Sequence, residues 1–137
     1  MSAKLGYGAQ QWLYVQRTLY QSFATVGGTI EVTAVVAALI LAYCVRHDRA
    51  SLRLAATGAA CLAIALGTWV LATNPVNIEV RGWTAQAIPT DWPRWRSQWE
   101  YSHLARFVLH FIGFCTIGSA FLSVPRQMTG ATRSRGS

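Results

Sequence analysis

The sequence predicts an all-α membrane helical bundle, with three transmembrane helices plus an amphipathic N-terminal helix in a four-helix-bundle-like arrangement. Three observations predict it. Of 137 residues, 53% are hydrophobic and only 12% charged, against about 25% charged in ordinary soluble domains. Mean hydropathy is +0.28. Three stretches are nearly free of charge: residues 18–45 carry Glu31 alone, and residues 54–78 and 107–124 carry none, counting His110 as neutral. About 20 apolar residues, each rising about 1.5 Å, span the hydrocarbon of a bilayer. Too little polar sequence remains to coat three such helices in water. The composition also excludes a disordered chain.

Each element has local support. Gln10 to Phe23 reads as an amphipathic helix, with Trp12, Tyr14, Leu19, Tyr20 and Phe23 set among Gln and Arg. Such a segment suits the outer membrane interface or a gap in the bundle, half buried. Gly27-Gly28 offers a break before helix A, Thr29–Val45. Arg46, His47, Asp48, Arg49 and Arg53 form a polar connector to helix B, Ser51–Ala72. Helix B is expected to stop at Asn74-Pro75, because the residue before a proline avoids the helical region. Thr90-Asp91-Trp92-Pro93 carries a capping oxygen and a first-turn proline. The helix it opens is expected to run through Trp95 and Trp99 into helix C, Ser102–Val124, and to end at Pro125. Residues 1–28 thus form the N-terminal segment, 29–124 the membrane domain, and 125–137 a basic tail expected to be disordered.

Trp83, Trp92, Trp95, Trp99 and Tyr101 cluster at one end of the bundle as an interfacial belt. Cys44, Cys61 and Cys115 each lie in an apolar run, where cysteine usually acts as a small buried hydrophobe. No signal peptide is evident, since no basic start leads into an apolar run with a small-residue cleavage site.

The excess of 12 Lys and Arg over 5 Asp and Glu is expected to orient the protein and not to bind nucleic acid. With three crossings, the A–B connector (Arg46, Arg49, Arg53) and the tail (Arg126, Arg133, Arg135) share one side. The positive-inside rule makes that side cytoplasmic. The B–C connector then faces outward with the amino terminus.

Helix C carries the most informative pattern. Trp99, His103, Arg106 and His110 follow i, i+4, i+7, i+11 spacing and share one face. An ionisable residue within the hydrocarbon is costly unless it meets a cavity, a partner or the headgroups. Arg106 either snorkels to the interface or enters a polar site. His110 either makes an interhelical hydrogen bond or joins that site. Pro75 breaks helix B and frees carbonyls, which Asn74 and Asn77 either cap or leave to a ligand. Glu31, near the outer end of helix A, is either exposed at the interface or a counter-charge for Arg106. In this topology Glu31, Asn74, Asn77, His103 and Arg106 all lie near one membrane face. No spacing matches a di-iron Glu-x-x-His motif or His-Glu-x-x-His, so no metal is expected.

Thr73-Asn74-Pro75-Val76-Asn77, then Trp83, Arg94-Trp95, Trp99, His103 and Arg106 entering an apolar helix, resembles the anthrone oxygenase-like family of small integral membrane proteins, many of them bacterial. Val15-Gln16-Arg17 resembles the glutamine segment after that family's first helix. The resemblance spans about Gln11 to Val124. It implies residence in a bacterial plasma membrane and oxidation of an aromatic polyketide or similar hydrophobic substrate, without a bound cofactor. By resemblance His103 would be the base, with Arg106 and Asn77 holding the oxyanion. Asn74, Trp95, Trp99, His110 and Glu31 would contact substrate. The family's first apolar helix has no counterpart ahead of the glutamine segment. A three-helix bundle would leave an open seam, to be filled by a homo-oligomer or a partner membrane chain. The competing expectation is a non-catalytic membrane subunit that binds a lipid, a quinone or a partner helix. Small residues suited to close helix contact favour it: Gly58, Ala59, Ala60 and Ala63 on B, and Gly113, Gly118, Ser119 and Ala120 on C.

Overall fold

A computed structural model of the chain describes residues 6–20 and 23–133. The architecture is all-helical. Helix α1 spans Ala9–Val15 and passes into a π turn at Gln16–Tyr20. Helix α2 spans Phe23–Cys44, α3 Arg49–Thr68, α4 Asn74–Gly82 and α5 Trp92–Arg133. A second π turn, Trp69–Thr73, joins α3 to α4. Three helical segments are long and apolar enough to cross a membrane: Val26–Cys44, Arg49–Gly82 and Trp92–Ser123. This is an integral-membrane architecture. Helices A, B and C correspond to α2, α3 and the inner part of α5.

Three boundaries differ from expectation. The chain does not break at Gly27-Gly28, and α2 runs through both. Glycine in a helix interior costs only about 1 kcal/mol, and here the missing side chains open space beside Trp69. Helix B does not stop at Asn74-Pro75. Its last turn widens into the π turn, and Pro75 then sits in the first turn of α4, where its missing N–H is tolerated. The Ala72 carbonyl at this junction accepts a hydrogen bond from Gln98 Nε2 at 2.9 Å. Pro125 does not end helix C, since α5 continues to Arg133. A proline removes one helical hydrogen bond but leaves the next turn free to form. The first part of the tail, 125–133, is thus drawn into α5, and residues 134–137 lie outside the described residues. The run of one helix from Trp92 through Trp95 and Trp99 into helix C is as expected.

Helix α3 lies between α2 and α5 and supplies most of the packing. Its start is capped by Asp48, whose Oδ2 accepts from the Ser51 amide at 2.8 Å. Small residues bring α3 and α5 together. Gly58 and Gly113 face each other, and a Cβ on Gly113 would lie 3.3 Å from the Gly58 carbonyl oxygen. A Cβ on Gly58 would collide with Ile117 and lie 2.9 Å from Thr116 Oγ1. Ala59 and Ala120 are also buried, whereas Ala60, Ala63 and Ser119 are exposed. So about half of the small residues serve this contact. Gly58→Leu should destabilise the protein by at least about 1–3 kcal/mol through overpacking. Gly67, whose added Cβ meets nothing within 4 Å, should accept leucine with little change. Thermal unfolding in detergent micelles, followed by circular dichroism, distinguishes the two.

The aromatic belt forms a cap over one end of the bundle. Trp12, Leu13, Val76, Val80, Trp83 and Trp99 are buried together, with Trp92 and Trp95 against them. Helix α1 and its π turn are half buried as expected: Trp12 and Gln16 face inward while Tyr14 and Leu19 are exposed. The side chain of Phe23 lies outside the described residues. Arg17 ties α1 down by donating to the carbonyls of Arg81, at 3.1 Å, and Trp83. Outside the cap the surface is apolar, with Phe107, Phe111, Phe114, Phe121 and Leu122 exposed, as bilayer contact requires. Cys44 and Cys115 are exposed on this apolar surface and so are not the buried hydrophobes expected.

Candidate functional site

A cavity of about 380 Å³ opens beneath the aromatic cap, within the range of about 300–1,000 Å³ typical of ligand pockets. Glu31 from α2, Thr73 and Asn77 from the α3–α4 junction, and Trp99, His103, Arg106 and His110 from α5 line it. The helix C stripe therefore faces one space. Tyr20, Trp69 and Phe107 add aromatic walls, and Gly27 and Gly28 leave room for them.

Charge organises the floor. Arg106 donates to Glu31 in an ion pair between α5 and α2, and each side chain is 13% exposed. Arg106 thus does not snorkel, and Glu31 is not simply an interfacial carboxylate. His110 Nε2 lies 3.6 Å from the same carboxylate oxygen. His110 Nδ1 lies 2.7 Å from the Arg106 carbonyl, within its own helix. Glu31 Oε2 and Arg106 Nε are buried and make no hydrogen bond within the described structure. Buried polar atoms are usually satisfied, and exceptions gather at functional sites.

A hydrogen-bond network sets the upper wall. Trp99 Nε1 donates to Asn77 Oδ1 at 3.1 Å. Indole is a donor only, so this contact fixes the amide and directs its NH₂ group elsewhere. His103 stacks on Trp99 with ring centroids 3.8 Å apart. Its Nδ1 lies 2.8 Å from the Trp99 carbonyl. A carbonyl can only accept, so Nδ1 carries a proton and donates it to this contact. Ser102 Oγ donates to the same carbonyl and accepts from Thr73 Oγ1 at 2.9 Å.

Asn77, His103, Arg106, Trp99, His110 and Glu31 therefore come together as the sequence suggests, and two expected residues do not. Asn74 opens α4 but does not line the cavity. Thr73 and Asn77, four apart, share the inward face, and Asn74 is rotated away by about 100°. Trp95 packs in the cap above and donates Nε1 to Asp91 Oδ2 at 3.2 Å. It sits one turn too far out. Sequence reasoning missed Tyr20, Trp69 and Phe107, and it held Thr73 within the candidate run Thr73–Asn77 without singling it out. Thr73 carried a usable signal, lying four residues before Asn77. Among the described residues no three His, Cys, Asp or Glu side chains gather as metal ligands.

These features define a helical membrane protein with a polar cavity between its spans. Compared with known protein families, curated proteins and solved structures, the chain matches none.

Proposed function

We propose that the cavity binds a flat, oxygen-bearing aromatic molecule and oxidises it with molecular oxygen, in the manner of an anthrone oxygenase. The reading rests on one observation. An amide, two imidazoles and an intramembrane ion pair converge on a cavity walled by aromatic rings. Aromatic walls suit a polycycle. His103 Nε2 takes a proton from the methylene carbon of an anthrone-type ketone. The charge moves to the ketone oxygen, where Asn77 Nδ2 and Arg106 hold it. The carbanion gives its electrons to dioxygen, a C–O bond forms, and protonation yields a hydroperoxide. Loss of the second C–H proton and cleavage of the O–O bond release water and leave a carbonyl. One oxygen atom enters the product and the other leaves as water, so the balance needs no further oxidant.

Purified protein in nanodiscs, given anthrone in air, should consume oxygen and form anthraquinone faster than autoxidation in empty nanodiscs. A rate equal to autoxidation overturns the reading. A second reading, a non-catalytic subunit holding a quinone or lipid, draws on the sparse contact between α2 and α5. Saturable quinone binding without oxygen uptake would select it.

The orientation belongs to the same proposal. The α2–α3 connector and the carboxyl terminus face the cytoplasm, because Arg46, Arg49 and Arg53 cluster at that end. Ala50 is exposed there. In a background without native cysteines, Ala50→Cys should resist an impermeant thiol reagent applied to intact cells. Strong labelling reverses the orientation.

A further inference from the structure

Helices α2 and α5 both flank α3 and run in the same direction. Residue pairs across their seam keep a near-constant register: Glu31 meets His110 near the outer end, while Leu41 and Phe121 line the far end of one groove. That groove has a volume of about 570 Å³. Its lining is apolar apart from His110: Ala34, Ala37, Ala38 and Leu41 on one side, and Phe114, Ile117 and Phe121 on the other. From His110 to Phe121 it runs about 16 Å along α5, at about 1.5 Å per residue. That is roughly half the thickness of the hydrocarbon layer.

His110 lines both this groove and the polar cavity. The two spaces therefore meet at one side chain, polar above and apolar below. Small alanines on α2 stand opposite bulky rings on α5, so the seam stays a slot along its length.

We infer that the ligand is amphiphilic: its aromatic head occupies the polar cavity, and a linear alkyl or isoprenoid tail lies in the α2–α5 slot, reached sideways from the bilayer. This rests on the reading of the cavity as the head-group site. A tail leaving lipid for the slot gains little from the hydrophobic effect, because both surroundings are apolar. Its contribution is alignment. With the tail seated, the oxygen-bearing rim of the head is held toward Arg106 and Asn77, and the ring cannot enter reversed.

Anthrone and an anthrone bearing a decyl chain, compared at equal mole fraction in nanodiscs, test this. The decyl compound should have the lower KM. Ala37 is exposed in the slot, so Ala37→Trp fills it without disturbing packed helices. This variant should raise the ratio of the decyl KM to the anthrone KM about tenfold through steric exclusion. If both compounds are oxidised with KM values indifferent to the tail and to Ala37→Trp, the tail assignment falls and the oxidation stands. If neither is oxidised and neither quenches tryptophan fluorescence, both fall. A wild-type dimer that Ala37→Trp converts to monomer would also overturn the tail assignment, because a second copy would then cover the slot.

Discussion

Arg106→Leu alone should destabilise the protein by about 3–5 kcal/mol, the usual cost of stranding one member of a buried ion pair. Glu31→Leu alone should cost a similar amount. The double replacement should recover most of the loss, because two leucines bury no charge and can restore packing. The sign of the coupling follows from the geometry. Both side chains are nearly nine-tenths buried and pair across α2 and α5, two helices that otherwise touch sparsely. Removing Arg106 leaves Glu31 with His110, at 3.6 Å, as its remaining ion-pair partner among the described residues. Removing Glu31 leaves a largely buried guanidinium without its carboxylate partner. A double-mutant cycle of unfolding in detergent measures the coupling. Additive single effects would mean that the pair contributes no interaction of its own. The cycle also separates stability from function. The restored double variant should fold and still fail to oxidise anthrone, since no guanidinium remains to hold an oxyanion.

The spans were legible because charge is nearly absent from them, and the stripe on α5 was legible because four polar or amphipathic side chains at helical spacing stand out against an apolar background. The same background hid the rest. Lipid is as apolar as a protein interior, so hydropathy does not tell an inward face from an outward one. Trp69 and Phe107 both lie in apolar helical stretches and line the cavity, while Phe111, about as exposed as Phe107 and on the same helix, does not. Nothing in their local sequence separates them. The π turn at Trp69–Thr73 was equally hidden, since no residue demands one. It lets the helix absorb Pro75 and turns Thr73 and Asn77 inward, where continuous α geometry had been read as ending. Gly27-Gly28 carried a true signal that was given the wrong cause: the glycines mark space beside Trp69, not a break in the chain.

His103→Ala should lower the rate of anthrone oxidation by about 10²–10⁴-fold, the range expected for loss of a general base. A fall of that size with the fold intact requires that the imidazole act on substrate. The ring is only partly buried, so its removal creates no sealed cavity in the core. Its stacking on Trp99 and its bond to the Trp99 carbonyl give it a structural role that must be separated from a chemical one. His103→Gln makes the separation. A glutamine amide can donate to the same carbonyl, yet it has no basic nitrogen. It should unfold within about 1 kcal/mol of the parent and remain as slow as the alanine variant. Added imidazole should return part of the lost rate to His103→Ala, because the vacated space adjoins the cavity, and should do nothing for His103→Gln, where the amide fills it. Full activity in His103→Gln would identify His103 as a positioning residue for Trp99 and Asn77, and the proton would then have to leave by another route. The nearest alternative is the second imidazole, since His110 lines the same cavity. His110→Gln in the His103→Gln background tests that route, and activity surviving both replacements would remove imidazole base catalysis from the mechanism.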